Sequence, residues 1–225
     1  MSNLTIQKKE LEKNRYSYII GPFPKTWGNT FAAPIRRSLL NSLSGSAITK
    51  VRIKGVDHEF TGYDGMKEDV LYFVLNLQRI VIKMDSSDSE KLKLKVKGPG
   101  DIKAGDIDCP SNVVIVNPEL VIATLTADVV LEAEMTVEKG EGFRIADDDI
   151  RNVEPGVIPV SANFNPVLRV GISVEADRVG QSTDYEKVVL EVETNGSIHP
   201  DDALREALSN LDSKLQDIIK QANQL

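Results

Sequence analysis

The sequence predicts an α+β fold, and three observations carry the prediction. Short runs that alternate apolar and polar residues recur along most of the chain, as half-buried strands do. Four-residue apolar spacing marks one helix near the start and a second at the end. The 225 residues, 41% hydrophobic and 27% charged, suffice for one large or two modest cores.

Taken in order, Arg15 to Gly21 sets Tyr16, Tyr18 and Ile20 against Ser17 and Ile19, which reads as a short strand running into the Gly21-Pro22-Phe23-Pro24 bend. The segment Phe31 to Leu43 follows. Its Phe31, Ile35, Leu39 and Leu43 form one stripe at ~100° per residue. Leu40 and the pair Arg36-Arg37 lie off that stripe, so the helix is expected to be gripped on a second face. Pro34 lacks an N–H and crowds the preceding turn, which predicts regular helix only from about Pro34 and a kink before it.

Ala47 to Ile53 alternates as a strand, with His58-Glu59-Phe60 expected on a second. The acidic pair Glu68-Asp69 suits the start of a short, mostly buried helix over Val70 to Leu77. Strands are predicted at Arg79 to Met84, Lys91 to Lys97, Val113 to Val116, Leu120 to Thr124 and Val129 to Glu138. In the second of these, lysines alternate with aliphatics, so the lysines read as a solvated sheet face. Gly98-Pro99-Gly100 and Gly105 lack the lysine and hydroxyl of a phosphate-binding loop. Val170 to Glu175 and Lys187 to Glu193 read as antiparallel strands, joined by a longer link over Asp177 to Asp184.

The last segment opens on Pro200 with Asp201-Asp202 at the positive end of its dipole. Leu204, Leu208, Leu211, Leu215, Ile218, Ala222 and Leu225 then follow in 4-3-4-3-4-3 spacing, a coiled-coil-like seam. A lone exposed helix cannot bury such a seam. Packed with Phe31, Ile35 and Leu39 of the first helix and with the same pair from a second copy, it makes a small bundle. The alternative is a seam lying only on its own sheet.

No Ser/His/Asp, Cys/His or paired-carboxylate set has signature spacing, so no catalytic residue, cofactor or metal is expected on this chain. The single Cys109 with His58 and His199 falls short of a zinc site and points to a reducing compartment. Asp147 to Asp149 is an acidic run that a metal-dependent hydrolase could use, although sequence neighbours rarely converge on one ion. No run of about 18 apolar residues and no signal-peptide core occurs, so the expected setting is the cytoplasm, without membrane contact. With 27 basic against 34 acidic residues the net charge is −7, which opposes direct capture of nucleic acid and leaves any DNA to a partner chain.

The motifs Gly28, Thr30, Ile35-Arg36-Arg37, Leu39-Leu40, Ala47-Ile48-Thr49 and His58-Glu59-Phe60 occur in one order with Gly65-Met66-Lys67-Glu68-Asp69-Val70 and Asn165-Pro166-Val167. Arg178-Val179-Gly180-Gln181, Thr183-Asp184 and Glu193-Thr194-Asn195-Gly196 complete the series. Together they resemble the amino-terminal domain of the bacterial-type RNA polymerase alpha subunit, from roughly Gly21 to the end of the sequence. Ala32-Ala33-Pro34 departs from the glycine, asparagine and alanine usual there, and Gln78 stands where lysine is common.

The resemblance implies a homodimeric scaffold that binds the beta and beta-prime subunits. It implies a discontinuous dimerisation domain over residues 1–45 and 166–225, interrupted by a strand-rich inserted domain over 46–165. The beta subunit is expected at Arg36, Arg37, His58, Glu59 and Phe60, and beta-prime at Val160, Pro166, Val167 and Arg178. The rival within this class is a subunit of a heterodimeric platform of the archaeal or eukaryotic kind.

Overall fold

A computed structural model describes residues 4–85, 89–146 and 154–224. In chain order the elements begin β1 Thr5–Glu12, β2 Arg15–Pro24, α1 Trp27–Asn41, β3 Ser44–Ile53, α2 Val70–Leu77, β4 Ile82–Met84 and β5 Glu90–Lys97. Next come β6 Gly100–Lys103, β7 Ile107–Asp108, β8 Val113–Ile115, β9 Val121–Leu125 and β10 Val130–Glu141. The chain continues through β11 Phe143–Arg144, β12 Ile158–Pro159, β13 Ala162–Asn163, β14 Val167–Val179, β15 Ser182–Thr194 and α3 Pro200–Ala222. Helices and antiparallel ladders are mixed, and the fold is α+β. Two compact units result: Met1–Leu43 with Asn165–Leu225, and Ser44–Phe164.

The first unit is a four-stranded antiparallel sheet in the order β1-β2-β15-β14, with α1 and α3 packed on one face. Alternation puts Tyr18 opposite Leu190 and Ile20 opposite Val188, and these side chains meet Ala32, Ile35 and Leu39 of α1 and Ala203, Leu204 and Ala207 of α3. Small residues let the two helices approach closely. Ser38 donates its hydroxyl to the Ala207 carbonyl at 2.7 Å, and the Asn210 amide donates to the Ser42 carbonyl at 2.7 Å. Gly28 is required where α1 meets β14, because a Cβ there would come within 2.8 Å of Val174 Cγ1.

Helix α1 differs from expectation at Pro34. It starts seven residues earlier, at Trp27, and runs through the proline. Pro34 and Thr30, whose carbonyl loses its donor, are both exposed, so the missing bond falls on the solvent side and the helix need not break. Its start is held by the Glu186 carboxylate, which accepts from the Gly28 N–H at the positive end of the dipole. The link expected between the last two strands is a tight hairpin instead: β14 reaches Val179, β15 begins at Ser182, and Gly180 turns the chain at φ 61°. Strand β1 has no buried face to give it an alternating pattern; its eight residues are all exposed.

The second unit centres on a sheet in the order β7-β5-β10-β3-β4-β8, with β12 added beside β3. Leu92, Leu94, Leu131 and Met135 face a core closed by Val70, Phe73, Val74 and Leu77 of α2. The opposite face carries the lysines of β5, as their alternation predicts. Glu132 sits between Lys54 at 2.8 Å and Lys95 at 2.7 Å, and these two cations pull its carboxyl down to about 2.

Candidate subunit interfaces

The apolar stripe of α1 divides in two. Ile35 and Leu39 are buried in the core of their own unit, on the face α1 turns to its sheet. Phe31 is different. It is 42% exposed and lies between Phe23 and Trp27, with ring centroids 5.2 and 5.8 Å away. Arg36 and Arg37 are exposed on α1 and have no carboxylate partner among the described residues.

The seam of α3 divides in the same way. Leu204 is 5% exposed, Leu208 and Leu211 are half-buried against the same core, and Leu215 and Ile218 are 56% and 64% exposed. All residues over 212–222 are exposed. The start of the helix is fixed more firmly than its end. His199 Nδ1 accepts from the Asp201 N–H at 3.2 Å, Tyr18 donates its phenol to Asp201 Oδ1 at 2.8 Å, and Lys8 pairs with the other carboxylate oxygen. Burial, and then the bond to Asp201, pushes the Tyr18 phenol well above its ordinary range. Partial burial works to raise the Asp201 carboxyl, but Lys8 and Tyr18 together hold it below the usual value.

In the second unit, His58-Glu59-Phe60 lies in a loop and not on a strand. Positive φ at Gly55 and Gly65 turns the backbone away from a ladder, and Thr61 Oγ1 donates back to the His58 carbonyl. The loop holds Phe60 79% exposed, with His58 exposed and Glu59 half-buried.

The positions expected to meet beta-prime are mostly inaccessible. Val160 is buried in the second unit's core, its N–H donating to the Thr49 carbonyl at 2.8 Å. In the first unit Pro166 and Val167 are buried at the start of β14, where the Pro166 carbonyl accepts from the Asn195 N–H at 2.9 Å. The side chains of all three are buried within their own units. Arg178 does reach solvent, beside the hairpin turn, with its Nε donating to the Gly180 carbonyl at 2.8 Å. Asp147 to Asp149 lies outside the described residues.

The sequence reading missed the outer face of α2. Its expected burial is one-sided: Leu71, Tyr72 and Leu75 are exposed, followed by an exposed Gln78. The signal was present in Val70 to Leu77, which is apolar on every side, and a helix of that kind on a surface has a second face to cover.

Residues 51–165 match the family model described as the RNA polymerase Rpb3/RpoA insert domain, just over half of the 225-residue chain. The chain belongs to the RNA polymerase alpha-type subunit family. The matched span takes in β10 and α2 with the loop that exposes Phe60. An alpha-type subunit is one member of a complex with other polymerase subunits, and its work is transcription. Nothing in this finding supports a hydrolase. Among the described residues no helix is long and apolar enough to cross a membrane.

Proposed function

We propose that this alpha-type subunit is a cytoplasmic, non-catalytic assembly scaffold that forms a homodimer and binds the beta and beta-prime subunits of a DNA-dependent RNA polymerase. The observation that carries the reading is the second half of α3. An eleven-residue stretch of helix over 212–222 stands wholly in solvent with Leu215, Ile218 and Ile219 uncovered. Its own unit covers none of these side chains, and an apolar stripe on a helix calls for a packing partner. A second copy supplies one: the exposed Phe31 and Trp27 of α1 lie in the same unit as the α3 tail and give the two copies self-complementary apolar ground.

Arg36 and Arg37 are the beta-facing positions on α1, and His58, Glu59 and Phe60 are those on the second unit's loop. A guanidinium without an internal partner offers a rigid fork of donors to carboxylates or carbonyls of another chain. Arg178 is the exposed candidate for beta-prime, in place of the buried Val160, Pro166 and Val167. DNA is met only through the assembled complex.

A second reading has a specific basis, because the matched family model spans Rpb3 as well as RpoA types, and the former reading makes this chain one half of a heterodimer. Sedimentation velocity of the purified chain at micromolar concentration separates the two. A dimer is expected; a monomer would favour the heterodimer.

A further inference from the structure

The sheet of the first unit has two edges, and they differ in chemistry. β1 carries Lys8, Lys9, Glu10 and Glu12 in eight residues, and charge on an edge strand deters pairing with another chain. β14 is thirteen residues long, and its middle, Val170-Gly171-Ile172-Ser173-Val174, has neither charge nor proline. Its register on β15 is unbroken from Arg169 to Asp177, with shifts only beyond those ends. The outer row of N–H and C=O groups is therefore regular over a length of roughly 30 Å. Among the described residues, no backbone hydrogen bond joins this stretch to anything except β15.

We infer that the outer edge of β14 accepts an extended segment of another polymerase subunit as an added strand, an inference that rests on the assembly reading above. Main-chain bonds supply the affinity and alternate side chains the choice of segment. Val170, Ile172 and Val174 turn toward the helices, so the incoming strand carries apolar residues on that side. Gly171 and Ser173 turn to the opposite face, where the added strand needs small or polar residues. At one end Arg169 is exposed and without an ion pair among the described residues, and it takes an acidic residue. At the other end Glu175 is already paired with Lys187 at 3.4 Å and needs no cation. Two-fold pairing of β14 on a second copy about Ile172 would also set Arg169 against Glu175, so that occupant is told apart by whether exchange in the free chain depends on its concentration.

The test is residue-resolved amide hydrogen exchange on the full chain, alone and in the complex co-purified with the two largest polymerase subunits. In the complex, every second amide from Val170 to Val174 is expected to slow by about tenfold or more, while those of β1 from Gln7 to Glu10 stay as in the free chain. The alternation separates an added strand from a side chain lying over the edge, which would shield neighbours together. With Ser173→Lys, which places a charge beside the edge, the slowing should disappear while the melting temperature holds. Unchanged exchange over 170–174 in an intact complex overturns the added strand and leaves the assembly reading standing. Slowing in the free chain that grows with its concentration also overturns it, because the occupant is then a second copy. Failure of the chain to co-purify at all removes the assembly reading and this inference with it.

Discussion

The two halves of α3 share one apolar repeat and have opposite surroundings. From Ala203 to Leu211 the seam lies on the sheet of its own unit, held at its start by Tyr18 and Lys8; from Leu215 onward the same repeat faces solvent. The spacing of leucines therefore reports that a helix face is covered without reporting by what. Where the sheet ends, the partner must change, and the point of change is where folding energy gives way to association energy.

The largest effect should come from the inner half. Leu204→Ala removes a side chain packed between α1 and the sheet, and emptying such a site costs about 2–5 kcal/mol. Urea unfolding should show that loss, and a change below about 1 kcal/mol would mean the inner half is not core. The outer half should behave in reverse. Leu215→Glu with Ile218→Glu should leave the unfolding of a dilute monomer nearly unaltered and abolish dimerisation, since each buried leucine-sized side chain contributes up to about 1.5–3 kcal/mol to an interface. A dimer that survives the double change in sedimentation velocity would show that the copies do not meet along this helix.

That division explains how much was legible in the sequence. The three helices, the longer strands β3, β5 and β10 of the second unit and the lysine face of β5 follow from local periodicity, which depends only on neighbours in the chain. The strand expected at His58-Glu59-Phe60 is a loop, and the short strands β6, β7 and β11 to β13 have no periodic run to mark them. The partition of Leu204 from Leu215 does not follow from local periodicity, because it depends on the length of a sheet assembled from both ends of the sequence. Pro34 misled for a related reason: the local rule assigns the broken bond a fixed penalty, but exposure of Thr30 leaves that bond on the solvent side. Motif order carries no information on which side chains fill a core, so the burial of Val160, Pro166 and Val167 was not legible from the resemblance. β1 escaped notice since Lys8, Lys9, Glu10 and Glu12 obscure its alternation, and charge is what an edge strand needs.

A smaller effect should separate the fixed start of α3 from its free end. Because Lys8 and Tyr18 hold the Asp201 carboxyl below its unfolded value, Asp201 contributes stability that is complete above the ordinary carboxylate pKa of about 3.9 and is lost as pH falls through the lower folded value. Lys8→Ala should shrink this acid-side loss, whereas replacing Lys220 at the exposed end should not change it. Thermal melts between about pH 5 and pH 2 measure the difference. Identical acid profiles for the wild type and Lys8→Ala would show that the pairing at the helix start has no part in stability.

The smallest change in stability is expected at Arg37, and there the contrast between inward and outward faces is sharpest. Ile35 and Leu39 flank Arg37 on the same helix and are buried, while Arg37 is exposed and unpaired among the described residues. Removing it takes nothing from the core, so Arg37→Ala should shift unfolding by no more than about ±0.5 kcal/mol, and dimerisation should persist. Capture of the beta subunit should fail, because acceptors desolvated against a guanidinium lose their charge-assisted donors, a loss of about 2–5 kcal/mol at a buried contact. Arg36→Ala is the control: it removes the same charge one residue away, about 100° round the helix. Pull-down of beta by wild type, Arg36→Ala and Arg37→Ala, each with its melting curve, gives the answer. Loss with Arg37→Ala alone identifies its fork as the contact, loss with Arg36→Ala alone moves the contact round the helix, and full capture by both variants removes this face of α1 from the interface.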